Sequence, residues 1–374
     1  MNIVRSISIP ALILSLASGC IRPEAPNVEA DILGIQVEGA EVLRDPVITN
    51  DQVTLYVNPW EDLTHVTPTF VMTDGASISP ESGKTMDFTK PVTYTVTSED
   101  GQWSKSYVVT FTSGGNVEKQ RFSFEDTFLQ GNKYYVFQIK NDAGEVTDNW
   151  ASSNTGYSIG AEFGLLPGET TDYPVTQVDA GYTGKAVQLS TRSTKALYDA
   201  FGSVMNVPML AAGSLYLGKL NTDFLMTDAL KSTEFGIPVF RKPVMLTGYY
   251  KYTPGETMID DKGNALDRTD LFDIYGIVYE VTPEVKTLDG TNNLTSDNLV
   301  MKARISDDDR KPEAEWTRFE IPFEMLDGKS IDPVKLSKGM YNYSIVFSSS
   351  KDGAKFFGAA GSTLQVDEVE VYFE

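Results

Sequence analysis

Residues 356–373 read FFGAAGSTLQVDEVEVYF, and the alternation of their apolar residues decides how the chain closes its fold. Leu364 and Val366 fall on one parity of an extended strand, and Val369, Val371 and Phe373 fall on the other. Strand side chains alternate between faces with a period of two, so both sets reach one core only if an extra residue separates them. This predicts a glycine-rich bend, a terminal strand, and a β-bulge at Asp367–Glu368 that re-aims a carboxylate.

Working back from that strand, residues 120–374 hold about ten segments of strand character and no strongly amphipathic helix. They are Phe122–Phe124, Tyr134–Ile139, Ala186–Ser190, Gly213–Leu220, Val244–Tyr252, Leu271–Tyr279, Leu299–Ile305, Trp316–Phe323, Tyr343–Ser348 and Leu364–Phe373. Several alternate cleanly: Phe319, Ile321 and Phe323 share a face opposite Arg318 and Glu320. Many strands joined by long polar loops predict a jelly-roll β-sandwich. Short helices are expected around Thr194–Met205 and Asp223–Lys231.

Residues 31–112 form a smaller all-β unit. Val92, Tyr94 and Val96 alternate with threonines, as do Tyr107, Val109 and Phe111 with polar residues and a valine. Asp100-Gly101 between the two runs is a hairpin signal, because glycine accepts the positive φ of a tight turn. Short apolar-in, Thr-out strands predict an immunoglobulin-like sandwich. Residues 113–119, SGGNVEK, read as the linker between the two units.

The start of the chain reads as a targeting segment. Arg5 precedes a mostly apolar run, Ile7–Ala17, too short to span a bilayer as a helix. Ala17-Ser18-Gly19-Cys20 resembles the bacterial lipobox, in which the signal peptide is cut before the cysteine and its thiol is acylated. Residues 1–19 are therefore expected to be a signal peptide, Cys20 the lipidation site, and residues 20–30 a polar tether to the membrane. Cys20 is the only cysteine, so no intrachain disulfide forms.

Thirty-one basic and fifty-two acidic residues give a net charge of −21, which disfavours nucleic acid and anionic lipid as partners. The single histidine, His65, leaves little room for a His-based triad or zinc site.

Four stretches together resemble a known family: FSFED (122–126), PVFRKPVMLTGYYKY (238–252), EWTRFEIPF (315–323) and SSSKDGAKFFGAAGSTLQVDEVEVYF (348–373). They are similar to the Bacteroidetes family called the putative carbohydrate metabolism domain, over roughly residues 120–374. The stretch MDFTKPVTYTVTSEDG (86–101) resembles the Ig-like modules of Bacteroidetes lipoproteins. The resemblance implies a jelly-roll domain akin to carbohydrate-binding modules, on an outer-membrane lipoprotein facing the periplasm or the exterior. It implies no established reaction. Where the family pattern has two aspartates, this chain has Asp367-Glu368.

Three kinds of site follow. Glu125 and Asp126 end the first strand of the domain and Asp367 lies on its last, so these carboxylates form a candidate metal set. Calcium, which takes about six to eight hard oxygens, would fit such a set as a structural ion. Glycan binding calls for flat rings flanked by hydrogen-bonding groups. The candidates are Trp150, Asn154 and Tyr157, in and beside the loop GEVTDNWASSNTGY, with Tyr250 and Tyr252 on strand 244–252. A glycosidase would need two carboxylates at a defined separation, and the terminal Asp367-Glu368-Val369-Glu370 does not have the spacing of known jelly-roll hydrolases. The expected function is glycan or polysaccharide binding. A glycoside hydrolase or lyase, and a structural or adhesion lipoprotein, are the alternatives.

Overall fold

A computed structural model describes residues 25–113, 118–141, 143–202, 207–225 and 227–374. The expected signal peptide and Cys20 lie outside the described residues. The chain divides into two compact units, Met1–Gly114 and Gly115–Glu374. Both are all-β.

In the first unit, Ile32–Glu38 pairs antiparallel with Thr67–Met72. A five-stranded sheet packs in the order Val47–Ile48, Gln52–Val57, Ser104–Ser113, Val92–Thr97, Ser77–Ser79. The hairpin forms with Tyr94 opposite Tyr107 and Gly101 at φ +70°. The inward set Tyr94, Val96, Tyr107, Val109 and Phe111 is buried with Val53, Leu55 and Phe70. Gln52–Val57 runs parallel to Ser104–Ser113.

The second unit is a two-sheet sandwich. One sheet has the order Val175–Val178, Ala186–Ser190, Thr363–Phe373, Pro243–Thr253, Glu313–Pro322, with Glu118–Phe122 also paired to the terminal strand. The other has the order Ala151–Ser152, Ser214–Tyr216, Tyr341–Ser348, Asp273–Glu280, Leu299–Arg304, Glu324–Met325, with Ile237–Val239 added to Tyr341–Ser348. Their facing sides share one core that includes Leu246, Tyr250, Phe272, Phe319, Ile345 and Val371.

The terminal strand sits in the middle of its sheet. Its first half pairs with Ala186–Ser190, its second half with Glu118–Phe122, and its whole length with Pro243–Thr253. Thr247 opposes Glu370 while Tyr249 opposes Asp367, so the terminal strand carries one residue more than its partner there. This is the bulge that the parity change demands. Glu368 takes φ +49°, and Leu364, Val366, Val369 and Val371 are all fully buried.

Three expectations need correction. Residues 118 and 119, read as linker, pair with Phe373 and Tyr372, because the long terminal strand would otherwise expose its backbone edge. The segment 144–157, read as a loop, holds the strands Val146–Asn149 and Ala151–Ser152 and opens the helix Asn154–Glu162. Of the two expected helices, Lys195–Phe201 forms, whereas the described residues of 223–231 hold only the end of a short 3-10 turn, Thr222–Phe224.

Candidate glycan-binding face

All five residues expected to touch ligand lie inside the fold, which corrects the sequence reading. Trp150 is 4% exposed and packs against Phe122, Phe124 and Phe347 with ring centroids 5.0, 5.7 and 5.9 Å away. Asn154 is fully buried and spends its amide on backbone. Its Nδ2 donates to the carbonyls of Val175 (2.7 Å) and Tyr135 (3.2 Å), and its Oδ1 accepts from Val175 N (2.8 Å). Tyr157 is buried beside Tyr173. Tyr250 and Tyr252 flank Phe272 at 4.7 and 4.9 Å. Tyr252 donates toward the carbonyls of Asp270 and Ser349, and burial pushes the Tyr250 phenol up to about 12.

The reason is parity. Lys251 must face water, and it drags Tyr249 outward with it, so Tyr250 and Tyr252 turn inward with Leu246. What the strand shows to solvent is the set that the sequence reading passed over.

That set forms cross-strand rows on the outer face of the sheet. Gln188 lies opposite Gln365, and Gln365 opposite Lys251. The Gln365 amide donates to Gln188 Oε1 at 2.9 Å, and Lys251 Nζ stands 5.2 Å from the centroid of the Trp316 ring. In the next row Asp367 lies opposite Tyr249, and Tyr249 opposite Arg318. In the third, Glu370 and Glu320 flank Thr247. Arg318 pairs with Glu320.

Tyr182 stacks on Tyr249 with centroids 3.6 Å apart and planes at 9°. One face of Tyr182 is thereby occupied, yet the residue is 48% exposed, so a propped ring stands open to solvent. Tyr182 comes from the turn between Val175–Val178 and Ala186–Ser190. Its sequence signal is an aromatic between two glycines, Gly181-Tyr182-Thr183-Gly184.

The candidate metal residues have a different arrangement. Asp367 is fully buried, and its Oδ2 and Oδ1 accept from the backbone N–H groups of Thr183 (3.0 Å) and Glu368 (2.8 Å). Burial raises its pKa to about 6 against the lowering effect of those bonds. Glu125 Oε1 accepts from Lys185 N at 2.8 Å. Asp367 and Glu125 therefore grip the same turn, 181–185, through its backbone. Asp126 instead pairs with Lys140 at 2.6 Å. Among the described residues no group of three or more His, Cys, Asp or Glu is placed to hold a metal ion. What Glu125 and Asp367 share here is the backbone of this turn, with Asp126 engaged elsewhere.

The putative carbohydrate metabolism domain matches residues 123–372, most of this sandwich and its site. The chain belongs to that family. A second pattern, "SGBP, N-terminal", matches residues 42–111 of the first unit. A crystal structure from Bacteroides thetaiotaomicron, described as a putative glycoside hydrolase, shares 43% identity. The match covers 94% of this chain and 99% of that one, with a TM-score of 0.63. A second putative glycoside hydrolase, from Bacteroides vulgatus, shares 38% identity over 67% of this chain and 96% of its own, with a TM-score of 0.59. No curated protein matches. Among the described residues, no helix of this family member is long and apolar enough to cross a membrane.

Proposed function

We propose that this member of the carbohydrate-related family binds a neutral glycan on the outer face of its six-stranded sheet, held at the cell envelope by acylation of Cys20. The observation that carries this reading is the exposed Tyr182 ring propped on Tyr249, one cross-strand row from the amides of Gln365 and Gln188 and from the Lys251–Trp316 pair. Pyranose rings present axial C–H groups that pack on flat aromatic faces, and side-chain amides match vicinal hydroxyls. The acidic surface does not oppose an uncharged chain.

Affinity electrophoresis of the protein in gels containing β-glucan, xylan, galactan or mannan tests it. At least one polysaccharide should retard the wild type. Tyr182→Ala should lower that affinity about tenfold, equivalent to roughly 1.4 kcal/mol. Retardation unchanged in both Tyr182→Ala and Trp316→Ala would move the site elsewhere.

A second reading, hydrolysis of the bound glycan, is favoured by the description of the two Bacteroides relatives as putative glycoside hydrolases. Release of reducing ends from the same panel separates the two.

A further inference from the structure

The opposite sheet carries a feature that the glycan-binding face does not use. Its outer surface is roofed by the helices Asn154–Glu162 and Lys195–Phe201 and by residues 207–212, 220–225, 229–233 and 290–294, and beneath that roof lies a cavity of about 290 Å³. Tyr216, Tyr275 and Val346 form its floor, and Tyr157, Leu197 and Leu230 stand in its walls. Protein interiors are close-packed, and voids of this size are few. The volume lies just under the roughly 300–1,000 Å³ of drug-sized ligand sites, which suits a small ligand. A lining this apolar holds water poorly and accepts an apolar body well.

One end of the cavity is polar. Asp273 and Lys351 line it, the two charged side chains among its described lining residues. Asp273 is not free to attract a cation: Arg304 holds it at 2.6 and 3.0 Å and Arg310 at 2.8 Å. Arg310 is itself 3% exposed, also pairs with Asp307, and leaves its Nε without a partner. Lys351 Nζ meets Asp307 at 2.5 Å, and the Asp307 side chain is 78% exposed, so this pair stands where solvent reaches. Asp273 is thus neutralised from behind by Arg304 and Arg310, and Lys351 is the one cationic side chain among the described lining residues. Asp270, behind Ser350, is buried 2.6 Å from the Ser350 hydroxyl, and burial favours its neutral form.

We propose that this cavity binds a small amphipathic organic anion, its aromatic or alicyclic body between the two helices and the sheet, and its carboxylate or sulfonate against Lys351 in place of Asp307. A sugar does not suit the site, because the apolar walls would leave most of its hydroxyls unpaired. With Asp273 already held by Arg304 and Arg310, Lys351 is left to favour an anionic head over a neutral or cationic one.

Fluorescence titration of the full chain with 1-anilinonaphthalene-8-sulfonate, and in parallel with uncharged N-phenyl-1-naphthylamine, tests the proposal. The sulfonate should bind saturably at one site per chain. Leu197→Trp, which fills the cavity, should weaken both probes at least tenfold. Lys351→Gln should weaken the sulfonate about fivefold and leave the uncharged probe unchanged. Near-UV circular dichroism establishes that each variant is folded; should Leu197→Trp fail to fold, Leu230→Trp serves in its place. Non-saturable binding, or sulfonate affinity unchanged in a folded cavity-filling variant, overturns the proposal. Equal loss of both probes in Lys351→Gln overturns the assignment of the anion.

Discussion

Asp367 shows how one residue can be placed by sequence and yet given its role only by the fold. The parity change at 367–368 predicts a bulge and a re-aimed carboxylate, and the carboxylate is indeed turned onto the backbone of the 181–185 turn. Its enclosure is a tertiary effect. Taking a carboxylate out of water disfavours its charged form, and two accepted backbone bonds offset this only in part. The pKa moves from 3.8 to about 6, a difference of roughly 3 kcal/mol between the two protonation states. An acid whose folded pKa is raised contributes stability that is fully present below its unfolded value and is lost as pH rises through the folded value. Between pH 4 and pH 7 the wild type should therefore lose more stability than Asp367→Asn, by an amount on the order of 3 kcal/mol. Urea titrations at several pH values check this; parallel profiles for the two proteins would refute the assignment.

At the scale of elements, the 181–185 turn joins the first strand of the domain, the last strand and the aromatic platform. Glu125 and Asp367 hold its backbone, and Tyr182 at its tip stacks on Tyr249. Gly184 has φ +63°, and a Cβ there would come 2.1 Å from Glu125 Oε1. Gly184→Ala should therefore cost about 1–2 kcal/mol through backbone strain and the broken Glu125 contact. It should also weaken glycan retardation while leaving the sheet intact. Because the grip is carboxylate on backbone, thermal melts in EDTA and in calcium are expected to coincide; a calcium-dependent rise in Tm would show that an ion takes part. The platform itself was partly legible. The expected strand Val244–Tyr252 has the alternation of the observed Pro243–Thr253, and Lys251 marks its wet face, so Tyr249 is legible as outward from that residue alone. Trp150 offered no such marker. Its neighbours Asp148, Asn149 and Asn154 imply a polar loop, whereas a two-residue strand and a helix start carry the ring into the core against Phe122 and Phe124.

At the scale of the whole molecule, the lipobox-like sequence predicts an anchored protein. Cys20→Ser should move the chain from the membrane fraction to the soluble fraction of a bacterial host, and continued retention in membranes would refute lipidation as the anchor. By itself the sequence determined the all-β class, two sandwich units, the family, and the bulge in the terminal strand. Each of these follows from local alternation or from a contiguous motif, which every strand carries along its own length. Only the tertiary structure decided which rings are wet and which carboxylates meet. Cross-strand rows such as Gln188–Gln365–Lys251, and the stacking of Tyr182 on Tyr249, join residues dozens to nearly two hundred positions apart. The strand order that brings them together is set by how the two sheets bury their shared core, a non-local balance that no single segment records.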